Sequence, residues 1–129
     1  MDKIQTVLLI DDMEIEHVNV RYILEDYDES IKLLSAYDGK EGLELLLSLE
    51  NQPDVVLLDI NMPCMNGHEF LIELGKTRLR DTVVVVMLTS SDQDLDKKMA
   101  SQHSNVKGYI GKPLEEENLE YITRLIKSQ

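Results

Sequence analysis

The chain reads as an α/β protein: a parallel sheet covered by helices on both faces. Three observations predict this. Short β-branched runs alternate with helical patterns from end to end, and five strand-then-helix repeats imply parallel strands joined by helical crossovers. The runs themselves are apolar almost throughout, as strands buried on both faces must be. At 129 residues the chain fits one domain, long enough to bury a core without staples. Residues 1–129 show no internal repeat, low-complexity tract or linker, and the crossovers should be right-handed.

The elements follow in order. Residues 4–10 (IQTVLLI) form a buried strand stopped by Asp11 and Asp12, and residues 14–26 carry Ile15, Val18 and Tyr22 at helical spacing. Residues 31–36 (IKLLSA) are the second strand. Asp38-Gly39 then turns the chain into a Leu-rich helix with Leu43, Leu46 and Leu47 on one side. After the break at residues 51–53, residues 54–59 (DVVLLD) make the third strand and residues 60–66, with Pro63, a loop. A helix over residues 67–76 places Phe70, Leu71 and Leu74 together. Residues 82–88 (TVVVVML) are the most strand-like segment of all. A polar helix over residues 92–104 has Leu95, Met99 and Ala100 as its main apolar residues. A short strand over residues 107–111 leads to a last helix from Leu114, with Leu119, Ile122, Leu125 and Ile126 on one face.

Composition excludes several classes. A net charge of −12 without a basic cluster argues against a polyanion such as nucleic acid, whose binding rests on Lys and Arg neutralising phosphates. The longest apolar runs are far too short to cross a bilayer, and the N-terminal run ends in two acids, unlike a signal peptide. The single cysteine, Cys64, cannot form an internal disulfide. A cytoplasmic location, with no membrane and no nucleic acid as partner, is the expectation.

The chemistry collects at the strand ends. Asp11 and Asp12 end the first strand, Asp59 ends the third, Thr89 follows the fourth and Lys112 follows the fifth. In an open parallel sheet these ends lie along one edge, where ligands bind, so the topology should bring the five residues into one pocket. Three clustered carboxylates must protonate, separate or bind a cation. With oxygen ligands and no His or Cys in the pattern, the cation expected is Mg²⁺. A carboxylate can also serve as nucleophile and form an aspartyl phosphate. Lys112 would then meet the phosphoryl oxygens as a point charge and Thr89 as a hydrogen-bond donor.

The segments VLLIDD, VVLLDINMPCMNGHEFL, VVMLTSS and GYIGKPL, in order and at similar spacing over nearly the whole chain, resemble the receiver domain of two-component response regulators, in particular its single-domain chemotaxis-like members. The resemblance implies a flavodoxin-like (βα)5 three-layer sandwich with strand order 2-1-3-4-5. It implies that Asp59 is the phosphoacceptor, and that Asp11, Asp12, Asp59 and the backbone carbonyl of Asn61 hold Mg²⁺. Thr89 matches the switch hydroxyl, Tyr109 the aromatic switch and Lys112 the phosphate-contacting lysine, with a cis Lys112–Pro113 bond. Asn61 and Ser91 match two positions that tune the rate of dephosphorylation. The phosphoryl donor it implies is a phosphohistidine on a sensor histidine kinase or phosphotransfer protein. The receiver would catalyse only its own phosphorylation and dephosphorylation, and would signal to a downstream protein through the fourth helix, fifth strand and fifth helix. Two departures stand out: the stretch between Thr89 and Lys112 is slightly longer than in the best-known chemotaxis member, and Ser90 stands where Ala or Gly is common.

Taken singly, each signal has a plainer meaning. Asp-Asp after a strand caps a helix, Asn-Gly makes a turn, and Lys-Pro begins a helix. Their joint placement at four strand ends outweighs these. Tyr109 alone would be packing in an edge strand with its hydroxyl near water. Met62 and Met65 are expected to pack locally; His17, His68 and His103 lack metal-ligand spacing and are expected on the surface or on helix faces; Cys64 is given no chemistry. A haloacid dehalogenase-like phosphohydrolase would need an acid two residues after Asp59, where Asn61 stands. A flavin carrier would need a Ser/Thr/Gly-rich loop in place of Asp-Asp-Met-Glu. A receiver that has lost phosphorylation would need a spoiled site. Only residues 127–129 follow the last helix, so no output domain is expected.

Overall fold

In the computed structural model, which describes residues 3–128, ten elements alternate along the chain: β1 (Thr6–Ile10), α1 (Glu14–Tyr27), β2 (Lys32–Ala36), α2 (Gly39–Ser48), β3 (Val55–Leu58), α3 (Gly67–Leu74), β4 (Val85–Thr89), α4 (Asp94–Ser101), β5 (Val106–Gly111) and α5 (Glu116–Lys127). The strands pair in parallel in the order β2-β1-β3-β4-β5, the flavodoxin-like topology expected. Successive strand residues point to opposite faces, and here both faces are apolar. Leu8, Ile10, Val56, Leu58, Val85 and Met87 meet Leu46, Phe70, Leu71 and Leu74 of α2 and α3 and Ala100 of α4. Val7, Leu9, Val55, Leu57, Val86 and Leu88 meet Val20 and Leu24 of α1 and Leu119 and Ile122 of α5. Met62 lies in the first of these clusters, with Met65 packed against it.

Local chemistry sets the boundaries. Asp38 caps α2 by accepting from the Glu41 amide at 2.8 Å. Asn66 and Glu69 cap α3 reciprocally, with bonds of 2.9 and 3.0 Å. β4 starts later than the Val-rich run suggests, because the Thr82 and Val83 amides still turn back to the Leu79 carbonyl. α4 is shorter than its polar stretch, since the Gln102 and His103 amides close a final turn on Met99 and Ala100.

The face of α1 corrects the stripe expected from the sequence. Ile15 and Tyr22 are 56% and 70% exposed, while His17, Val20 and Leu24 are buried against the sheet. The two stripes are offset by less than a turn. The one with histidine goes inside because the ring nitrogens find partners there. α4 is as polar as predicted: Leu95 is 65% exposed, Met99 is exposed, and only Ala100 is buried.

Candidate functional site

Strand register assembles the site. Ile10 pairs with Leu58, so the next residues, Asp11 and Asp59, leave the sheet side by side. Asp12 follows in the turn into α1, and carboxylate oxygens of Asp11, Asp12 and Asp59 lie within 4.8 Å of one another. Beyond β5, the Lys112 amide donates to the Thr89 carbonyl at 3.0 Å, which ties the ends of β4 and β5 and aims the lysine at the cluster. Its Nζ lies 2.7 Å from Asp11 Oδ2 and 3.3 Å from Asp59 Oδ2. The Lys112–Pro113 bond is cis, as expected.

Two of the three carboxylates accept from a backbone amide. Asp11 Oδ1 accepts from the Met13 amide at 2.9 Å, and Asp59 Oδ1 accepts from the Ile60 amide at 2.8 Å. Asp11 Oδ2 is buried, and what meets it is the Lys112 ammonium, as an ion pair. Burial pulls the Lys112 pKa down, but the contact with Asp11 and the charges of Asp59 and Asp11 outweigh burial, and the net shift is upward. One ammonium against three carboxylates leaves two negative charges uncompensated. Hard oxygen donors, a buried carboxylate oxygen met only by a lysine and a twofold negative excess fit a hard divalent cation.

The helix behind the site must come very close. The Gly67 amide donates to the Ile60 carbonyl at 2.8 Å, and a Cβ at Gly67 would meet the Asp59 carbonyl at 2.4 Å and Ile60 Cα at 2.9 Å. Only glycine lets the start of α3 approach the turn that carries Asp59.

A second group of side chains extends the site toward α4. Thr89 is fully buried, and its Oγ1 accepts from the Ser91 amide at 3.2 Å. Ser91 Oγ donates to Asp96 Oδ2, and His68 Nε2 meets Asp96 Oδ1 at 2.9 Å. The Ser91 hydroxyl first, and then His68, hold the Asp96 carboxyl below its ordinary range. Tyr109 is half-buried against the core; its hydroxyl donates to the Ser91 carbonyl at 2.9 Å, and Lys97 Nζ sits 5.7 Å from its ring centroid. Burial raises the Tyr109 phenol pKa, and the charges of Asp96, Asp59 and Asp92 add to the rise. The hydroxyl is therefore bonded within the protein, not left beside water as packing alone would suggest.

Of the residues expected at the site, the structure brings Asp11, Asp12, Asp59 and Lys112 into contact distance and sets Thr89 at the next strand end. Asn61 is exposed two residues past Asp59, and Cys64, with φ 66°, is exposed on the same loop. His17 takes the helix-face place of the two expected for the histidines, on the buried side of α1 and not at the surface. It is fully buried, with Nε2 2.8 Å from the Asp11 carbonyl and Nδ1 2.8 Å from Ser35 Oγ. The sequence carried a signal for it, because His17, Val20 and Leu24 share one helical stripe. His68 and Asp96, 28 positions apart, carried none.

Comparison with known proteins gives a consistent picture. A family model described as the response regulator receiver domain matches residues 7–124. Protein PilH of Pseudomonas aeruginosa is 32% identical over 113 residues, covering 88% of this chain and 89% of PilH. The nitrate/nitrite response regulator protein NarL of Escherichia coli is 33% identical over 114 residues, covering 88% of this chain and 50% of NarL, so the chain spans half of that relative. A solved two-component response regulator from Cytophaga hutchinsonii superposes with a TM-score of 0.85 at 28% identity, covering 98% of this chain and 99% of the other.

Proposed function

The chain belongs to the response regulator receiver domain family of two-component phosphorelay signalling, and on that footing we propose that Asp59 accepts the phosphoryl group, with Mg²⁺ held by Asp11, Asp12, Asp59 and the Asn61 carbonyl. The observation that carries this reading is the placement of Lys112 at 2.7 Å from Asp11 and 3.3 Å from Asp59 within a cluster of three carboxylates.

The chemistry is an in-line displacement. An Asp59 carboxylate oxygen forms the new P–O bond while the P–N bond of a donor phosphohistidine breaks, its electron pair leaving with the imidazole. Lys112, which the acids keep charged, offsets the negative charge on the equatorial oxygens as a point charge, and the Thr89 hydroxyl donates to one of them. The Ile60 amide holds the carboxylate in place throughout. Mg²⁺, when bound, supplies further neutralisation of the phosphoryl and carboxylate charge. Hydrolysis of the acyl phosphate by water returns Asp59. Asn61 and Ser91 tune its rate, Ser91 through a hydroxyl already committed to Asp96.

The donor is a sensor histidine kinase or phosphotransfer protein. The output runs from Thr89 to Tyr109: when Thr89 turns toward the phosphoryl group, the loop that holds Tyr109 through the Ser91 carbonyl is drawn tight, and the inward docking of Tyr109 is favoured. A downstream protein reads the change on α4, β5 and α5. There a groove of about 300 Å³ runs between Lys97, Ala100, Val106 and Tyr109. No helix among the described residues is long and apolar enough to cross a membrane.

The test is incubation with acetyl phosphate, with and without Mg²⁺, followed by intact mass for wild type and Asp59→Asn. A phosphoryl adduct is expected only when Mg²⁺ and Asp59 are both present. No adduct under any condition, with hydrolysis slow enough to have left one visible, would leave a receiver that binds partners without phosphorylation.

A further inference from the structure

We infer that His17 is a positioning residue for the metal site, holding Asp11 in the orientation that turns one carboxylate oxygen toward the cluster, where a cation would share it with Lys112. The inference rests on the reading of Asp11 as a metal ligand. Asp11 sits where β1 ends and α1 has not begun, so helix hydrogen bonding does not claim its carbonyl. His17 Nε2 takes that role at 2.8 Å, one turn into α1. A carbonyl only accepts, so Nε2 carries the hydrogen, and Nδ1 accepts from the Ser35 hydroxyl of β2 at 2.8 Å; one tautomer satisfies both contacts.

The ring has little freedom to leave. It is fully buried and stacks on Tyr37 with centroids 4.2 Å apart, and the Tyr37 hydroxyl donates to Glu14 Oε2 at 2.8 Å. With His17, Asp11 is fixed at three points: its amide donates to the Ala36 carbonyl at 3.1 Å, its carbonyl is bound by His17, and its Oδ1 is bound by the Met13 amide. What remains is Oδ2, buried, facing the cluster and met only by the Lys112 ammonium at 2.7 Å. A plain core histidine would satisfy itself on any nearby groups. This one satisfies itself on the backbone of a candidate ligand, as groups behind metal ligands do.

Three variants separate positioning from packing. His17→Gln keeps a donor about as far from the backbone as Nε2. His17→Asn is equally polar but too short to reach Asp11, and His17→Leu fills space with no donor. The dissociation constant for Mg²⁺ alone, by titration calorimetry, is set beside the urea unfolding midpoint of each. Affinity should fall about tenfold or more in the Asn and Leu variants, the scale typical of removing a ligand's supporting partner, and should stay near wild type in Gln. If the Leu variant does not fold, the Asn and Gln pair decides. Equal Mg²⁺ affinity in Asn, Gln and wild type would overturn the inference and leave the carboxylate site standing. A wild type that binds no Mg²⁺ would overturn both.

Discussion

Gly67→Ala is a single-methyl change whose effect can be worked from distances. At the first position of a helix, alanine would ordinarily be favoured over glycine by up to about 1 kcal/mol. Here the new Cβ falls 2.4 Å from the Asp59 carbonyl oxygen and 2.9 Å from Ile60 Cα, both backbone atoms that cannot rotate away. Real Cβ contacts essentially never fall below 3.0 Å, so α3 and the end of β3 must separate by at least 0.6 Å. Overpacking of this kind costs about 1–3 kcal/mol, which outweighs the helix gain and predicts net destabilisation. The same displacement moves the residue proposed to attack phosphorus, and misplacement on the order of 1 Å costs up to about 10²-fold in rate. Urea unfolding gives the first quantity, and the initial rate of phosphorylation by acetyl phosphate at saturating Mg²⁺ gives the second. A variant that is as stable as wild type and phosphorylates at its rate would refute the close-approach reasoning.

Two further outcomes are expected. Lys112→Met removes the cation that competes for Asp11 and Asp59, so calorimetry should find Mg²⁺ bound several-fold more tightly, while phosphorylation slows by about 10²-fold for want of a charge at the phosphoryl group. Asp96→Asn tests the tie between α3 and α4. The folded-state pKa of Asp96 lies below its ordinary value of 3.8, so its charge contributes stability that is present above that value and is lost as pH falls through the folded pKa. Unfolding midpoints for wild type and the variant should differ near neutral pH and converge in acid; a constant gap would mean that the ionised carboxylate is not what stabilises.

The strand ends were the legible part of this molecule. Asp11, Asp59, Thr89 and Lys112 each stop an apolar run, and parallel topology turns that linear fact into a cluster. The face of α1 was not legible from apolar periodicity alone, because Ile15, Val18 and Tyr22 form as good a stripe as His17, Val20 and Leu24. What decides between them is whether a polar ring can be satisfied inside, and that depends on Ser35 and the Asp11 carbonyl, groups no periodicity reports. The tie from His68 through Asp96 and Ser91 to Tyr109 was invisible for a similar reason. It links α3, α4, the loop after β4, and β5; His68, Ser91 and Tyr109 stand in segments that carry the resemblance, but Asp96, which joins His68 to Ser91, lies outside them.

The strands raise a question of alignment. β3 is apolar at every position and buried on both faces, so a slip by one residue would still bury hydrophobic side chains, and the pattern that pins half-exposed strands gives no guidance here. The ends do. At one end Asp54 Oδ2 accepts from the Gln5 and Thr6 amides at 2.7 and 2.9 Å; at the other, Asp59 stands just outside the sheet. A shift in one direction would strip Asp54 of its partners, and a shift in the other would drag the Asp59 carboxylate into one of the apolar faces between sheet and helices, at a cost of several kcal/mol. The acid proposed for signalling is then also a bookmark for folding: it tells β3 where to stop, and a neutral residue there would loosen the alignment of the chain as well as silence the chemistry.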